Sequence, residues 1–339
     1  MFLIVAPLFL VILVGYGYGR AKPDSGNADK LINDYVLYIA LPALLFIAVA
    51  RADTSDLKQW GFMLSTLCGI AASYMLAALL AKRMGIALPH SSLLSMGASY
   101  GTTGYMGVPI LLSVYGEQAA LPAAMATILH NIPAIMAVIV SWDMFSTRAT
   151  DASTRLIHSV GRSLLATVKN PLTLSVLAGL AFVLLDIRVP VVIESFARFL
   201  GNAAGPTALF ALGLGLARLK VKEHLNVTAS KTVLPMVVLK LVIQPAVTFV
   251  IAVYVFGMGH SQGIWLATAV VMAAQPIGAG VYVFAKKYHY QPDEIALSII
   301  VSLLLALVTI PALLSLFPPS CIAVWASGND SEALFTLLF

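Results

Sequence analysis

Apolar runs of membrane-crossing length alternate along the chain with short breaks rich in charged residues, proline and glycine. The runs cover 2–19, 30–50, 60–81, 92–115, 118–145, 171–187, 191–217, 231–257, 263–288 and 292–317. An α-helix needs about 17–25 apolar residues to pass the ~30 Å hydrocarbon core, so the pattern predicts an all-α polytopic membrane protein with ten transmembrane helices. The first run has no basic residue ahead of it, and Arg20, Lys22 and Lys30 follow it. It therefore reads as a retained helix and not as a signal peptide.

The loops between these runs are asymmetric in charge. Numbered in order, the odd loops carry fifteen Lys and Arg residues and the even loops four, namely Arg51, Lys58, Arg188 and Arg198. The positive-inside bias then puts the odd loops in the cytoplasm and both termini on the outer, periplasmic side. The longest connection, 146–170, sets Arg148, Arg155, Arg162 and Lys169 against Leu156, Ile157, Val160, Leu164 and Leu165 at helical spacing. It reads as an amphipathic cytoplasmic linker on the membrane surface.

That linker also marks a midpoint. Span two contains Pro42, Leu45 and Phe46, and span seven contains Pro206, Leu209 and Phe210, the same Pro-x-x-Leu-Phe pattern at the matching place. Span four is interrupted by Gly107-Val108-Pro109 and span nine by Gln275-Pro276, each the fourth span of its half. Because five spans per half is an odd number, equivalent halves must enter the membrane from opposite sides. The expectation is an inverted repeat: residues 1–145 and 171–317 as two five-helix halves around the 146–170 linker, with 318–339 as a tail.

The interruptions carry the candidate chemistry. Span four has glycines at 97, 101, 104 and 107 ahead of Pro109, with hydroxyls from Ser99, Thr102 and Thr103 nearby. Proline removes a backbone donor and clashes with the preceding turn, so the helix is expected to kink or unwind at Pro109. Unwound backbone at bilayer depth is tolerated only where it is buried in protein or lines a cavity. Span nine repeats this with Gln275, Pro276, Ile277, Gly278 and Gly280. Two such helices that cross would aim the positive ends of their second halves at one point, where an anion is favoured. A single proline kink, or glycines that only permit close helix packing, would be the plainer reading of either segment taken alone.

Lys240 is the one lysine well inside an apolar run, and a charge at that depth costs at least ~2.5 kcal/mol on insertion scales. Three readings are open: its ammonium ties the carbonyl end of a broken half-helix, it neutralises a carboxylate substrate, or it snorkels to the interface; the tether is favoured. Gln244 lies one turn further on. Asp34, Asp143, Asp186, Glu194 and Glu294 all fall near span ends. A cation antiporter needs acids at mid-membrane, so that class loses ground. Asn131 and Asn202 are amides for helix contacts or ligand binding, and His130 could titrate near neutral pH, although a lone histidine is more often a hydrogen-bonded core residue.

Composition excludes other classes. Of 339 residues, 60% are hydrophobic and 10% charged, with a mean hydropathy of +0.93, against roughly 25% charged in a soluble domain. The two cysteines, Cys68 and Cys321, offer neither a disulfide framework nor metal-ligand spacing. The net charge of +5 reflects topology and does not point to nucleic acid. No phosphate loop, hydrolase triad or metal motif is present, so no enzyme activity, cofactor or metal is expected.

Several motifs together carry a family resemblance. They are Leu-Pro-Ala-Leu-Leu-Phe at 41–46, Ser-Tyr-Gly-Thr-Thr-Gly-Tyr-Met-Gly-Val-Pro at 99–109, Lys169-Asn170-Pro171, Gly-Pro-Thr-Ala-Leu-Phe-Ala-Leu-Gly at 205–213, Leu239-Lys240-Leu241 with Pro245, and Ala274-Gln275-Pro276. The chain resembles the auxin efflux carrier family, and among its members the compact bacterial malonate and dicarboxylate permeases. The resemblance implies a scaffold domain from helices 1, 2, 6 and 7 and a transport domain from helices 3–5 and 8–10 that moves like an elevator. It also implies substrate binding at the crossing. The expected substrate-binding residues are Thr102, Thr103, Gly104, Gly107, Val108, Pro109, Asn131, Gln275, Pro276, Ile277 and Gly278, with Lys240 balancing charge. Ser99 and Thr102 stand where the family commonly has asparagine, so hydroxyls replace amides that could bind a carboxylate. The expected activity is secondary transport of a small organic anion, malonate or a similar dicarboxylate, across the bacterial inner membrane. A passive anion channel or membrane receptor is the alternative, ahead of a cation/proton antiporter. Expected partners are the anion, a coupling proton or sodium ion, membrane lipid and a second copy joined through the scaffold domain.

Overall fold

Among the described residues, three of the four π-helical turns lie just ahead of a proline, and this local rule shapes the fold. In the computed structural model, which describes residues 2–22, 28–52, 56–145, 161, 164–165, 168–218, 231–259 and 262–319, the turns Val36–Ala40, Thr103–Gly107 and Leu239–Ile243 precede Pro42, Pro109 and Pro245. Proline cannot donate to the carbonyl four residues back and its ring pushes that carbonyl away. A widened turn absorbs the mismatch, and each proline then sits in the first turn of the next α-helix, where no donor is needed.

Among the described residues the chain is helical, with no β-strands. In order the helices are α1 (Phe2–Ala21), α2 (Ala28–Tyr35), α3 (Leu41–Ala50), α4 (Trp60–Arg83), α5 (His90–Ser99), α6 (Val108–Tyr115) and α7 (Ala120–Phe145). They continue with α8 (Pro171–Leu184), α9 (Val191–Arg218), α10 (Val233–Val238), α11 (Gln244–Val250), α12 (Gly263–Ala273), α13 (Gly280–Lys287) and α14 (Pro292–Leu314). Among the described residues six stretches are long and apolar enough to cross a membrane: Lys30–Ala50, Trp60–Arg83, Thr103–Phe145, Val191–Ala217, Val233–Val255 and Pro292–Leu314. Shorter apolar helices run over Ala6–Ala21, Pro171–Leu184 and Gly263–Ala273. Every apolar run read from the sequence is helical over most of its length. The runs at 92–115 and 263–288 are each broken in the middle. The expected linker at 146–170 lies almost wholly outside the described residues, as does the tail beyond residue 319.

Packing sorts the helices. Helix α1 lies along α9, and α3 packs on α8 and α9. The α1–α9 contact is close because Gly15 and Gly213 face the opposite backbone: a methyl group on either would strike Phe210 or Ile12 main chain. In the remainder, α4 packs on α5, α11 and α12, α7 on α5 and α12, and α10 on α14. These two sets meet where α9 and α1 touch α6 and where α3 touches α7. Helix α8 begins with a designed stop for its free amides: the Asn170 side chain accepts from Leu172 N–H at 2.9 Å, and Pro171 fills the next position.

Candidate functional site

The break in span four lies at Tyr100–Thr102, seven or more residues ahead of Pro109, which itself sits comfortably in the first turn of α6. Of the expected kink or unwinding at Pro109, the helix shows a widened turn at Thr103–Gly107 just ahead of it, and the unwound stretch lies elsewhere. In span nine the irregular stretch is 274–279 and does include Pro276. The two stretches run antiparallel past each other. Gly101 and Ile277 form a β-bridge, Thr102 N–H donates to Pro276 O at 2.9 Å, and Gly278 N–H donates to Tyr100 O at 3.0 Å. Ile277 N–H donates to Ser302 Oγ of α14 at 3.1 Å. Backbone groups that lost their helical partners are thus paired inside the protein, as an apolar setting requires.

Close approach fixes the glycines here. A methyl group on Gly278 would run into the Tyr100 ring, and one on Gly107 would meet Met272 Sδ and stand 3.3 Å from Gln275 Cγ. On Gly101 it would lie 3.1 Å from both Cε and Nζ of Lys240. Lys240, in the π-helical turn Leu239–Ile243, is fully buried, and its ammonium donates to the carbonyl of Ala273, the last residue of α12. That carbonyl is one of the acceptors a helix end leaves without an internal partner. The tether reading of Lys240 therefore describes its contact.

Of the other expected residues, Thr103, Gly104, Gly107, Val108, Pro109, Gln275 and Ile277 are buried, Thr102 is half-buried, and Asn131 is buried on α7 beside His130. Gly104 faces Leu172 and Thr127, and Pro109 faces Gly205 of α9. Gln275 donates from Nε2 to Val271 O at 3.0 Å, leaving Oε1 without a partner. Thr103 Oγ1 and His130 Nε2 are likewise buried without a partner. His130 Nδ1 lies 2.9 Å from Ala126 O. A carbonyl accepts only, so Nδ1 carries the hydrogen and Nε2 of the neutral ring is an acceptor.

Between the two sets of helices lies a cavity of about 760 Å³. Pro109 is the one expected site residue among those lining it, together with Leu44, Ser113, Asn202 and Trp265. Asn202 is exposed there. At the rim Arg51 Nη1 meets Glu194 Oε1 at 2.8 Å, Arg198 Nε meets the same oxygen at 3.1 Å, and Arg198 Nη1 pairs with Glu117 Oε1. Reading the sequence counted Arg51 and Arg198 as loop charges, set Glu194 among acids near span ends and gave Glu117 no role. Only the i, i+4 spacing of Glu194 and Arg198 signals a pair locally; Glu117 lies 81 residues from Arg198.

Comparison with known proteins shows the family of this chain. The sequence profile of the membrane transport protein family matches residues 1–314. A Rhizobium meliloti (strain 1021) protein named "Putative malonate transporter" is 28% identical over 327 residues, covering 92% of this chain and 94% of that protein. The Mus musculus "Lysosomal cholesterol signaling protein" is 26% identical over 316 residues, 87% of this chain but 35% of that longer protein. "Auxin efflux carrier component 1" of Arabidopsis thaliana is 31% identical over 163 residues, 47% of this chain and 25% of the relative. The chain belongs to the membrane transport protein family, that of the auxin efflux carriers.

Proposed function

We propose that this member of the family is a secondary transporter for a small organic anion, with malonate or a similar dicarboxylate as the best-fitting substrate. The observation that carries the reading is the antiparallel crossing of two interrupted helices with a buried lysine at its back, in a protein whose two sets of helices enclose a cavity. Interrupted helices that meet at mid-membrane are the usual substrate sites of secondary transporters. The 28% identity to a protein named as a malonate transporter supports the substrate class.

In this reading ten helices form two inverted five-helix repeats. Helices α1–α3, α8 and α9 make the scaffold, and α4–α7 with α10–α14 make the transport domain. The separate packing of these two sets supports the division. The transport domain slides against α9 and carries the crossing, with its anion, from one side of the inner membrane to the other. Thr103 and Gln275 have unpaired polar atoms to offer once the site adjusts, and Lys240 supplies the balancing positive charge. Loop charge puts both termini and the cavity mouth on the periplasmic side. No covalent chemistry is involved.

The test is a thermal-shift and radiolabel-uptake panel of mono- and dicarboxylates on purified protein, repeated with Gln275→Ala and Lys240→Ala. A dicarboxylate should stabilise the parent and be taken up saturably, and should not stabilise the Gln275 variant. A panel without a hit refutes the anion reading, and unsaturable flux without counterflow would make the protein a channel.

A further inference from the structure

Arg51, Arg198 and Glu117 line the cavity, and Glu194 pairs with both arginines; three of these four belong to one set of helices, and the fourth does not. Arg51 follows α3, and Glu194 and Arg198 lie on α9, whereas Glu117 lies in the 3₁₀ turn Gly116–Ala119 between α6 and α7. The Arg198–Glu117 pair thus spans the cavity mouth from one set to the other. The two glutamates differ in character. Glu194 is held by both arginines, but Glu117 keeps 78% of its side chain exposed.

We infer that Arg198 is the outer docking residue for a carboxylate of the transported anion, and that Glu117 holds its place until the anion displaces it. This rests on the transporter reading given above. The planar guanidinium fork suits a carboxylate from substrate as well as one from protein. Among the described residues this cluster sets two arginines against two glutamates, so departure of Glu117 leaves one positive charge unmatched. A carboxylate restores that balance and a cation does not. An exposed ion pair shifts an equilibrium by no more than about fivefold, weak enough for a solute to replace. Because the pair joins the two sets, the same exchange removes a bond that would resist their sliding.

The test uses the full chain with Cys68→Ser and Cys321→Ser, and Asn202→Cys as a reporter inside the cavity. A neutral polyethylene-glycol maleimide reports access to it, with and without malonate. Glu117→Gln should speed labelling about two- to fivefold and lower the half-protecting malonate concentration by a similar factor. Arg198→Gln should also speed labelling but raise that concentration about tenfold or more. Equal malonate protection in the two variants, or labelling rates unchanged by both, would overturn the inference. Protection is read without transport. Absence of uptake alongside Arg198-dependent protection would therefore count against the transporter reading and leave the docking residue standing.

Discussion

Replacing Lys240 by methionine separates what the ammonium does for the fold from what it does for the anion. Methionine keeps most of the length of the side chain, so the fully buried site stays filled. The loss is one charge-assisted hydrogen bond to Ala273 O, about 1.5–3 kcal/mol. Against it stands relief of a charge buried in an apolar span, at least ~2.5 kcal/mol. The two nearly cancel, and Lys240→Met should keep its stability to within about 1 kcal/mol. Lys240→Ala also opens a void and should lose about 2 kcal/mol or more. Transport behaves differently, since no methionine can balance an anion: kcat/KM for dicarboxylate uptake should fall at least about tenfold, the equivalent of ~1.4 kcal/mol. Thermal unfolding in detergent and initial uptake rates in proteoliposomes measure the two quantities on the same preparations. A large loss of stability with uptake falling only in proportion to folded protein would make Lys240 a structural tie and nothing more. Unchanged uptake would remove it from the anion's path altogether.

Other outcomes follow from single contacts. Gly278→Ala drives a methyl group against the Tyr100 ring and should cost about 1–3 kcal/mol through overpacking, read as a lowered unfolding temperature that Gly215→Ala, in open space, does not show. Asn170→Ala removes the cap on Leu172 N–H and should destabilise by about 1 kcal/mol, with hydrogen exchange rising in the first turn of α8. Tyr105 OH donates to Asn33 O and Oδ1, both at 3.1 Å, tying the π-helical turn before α6 to α2. Tyr105→Phe should cost ~0.5–1.5 kcal/mol and raise the maximal uptake rate with half-saturation unchanged; a matching fall in both rate and affinity would contradict a role in sliding.

How much of this was legible in the sequence differs from residue to residue. Helix positions followed from apolar runs, because a lipid-exposed segment has one dominant requirement and shows it along its whole length. Lys240 called for a partner for the same reason, and of the three readings open in the sequence the favoured tether matches its contact with Ala273 O. Pro109 misled in part: it goes with the widened turn Thr103–Gly107 ahead of it but does not unwind the chain, because in the first turn of α6 no donor is needed from it. The break falls instead at Gly101, where Ile277, 176 residues on, supplies the pairing. Such a bridge leaves no local signal. Asn202 looked like helix glue yet faces the cavity, and Arg198 was counted for topology because its cross-cavity partner, Glu117, is distant in the chain.

The decisive measurement is counterflow in proteoliposomes loaded with unlabelled malonate and diluted into labelled malonate. Transient accumulation of label above its equilibrium level, abolished by Lys240→Met, is the expected result for a site at the crossing that is exposed to one side at a time. Flux that rises linearly with concentration and never overshoots, or an overshoot that Lys240→Met leaves intact, would contradict it.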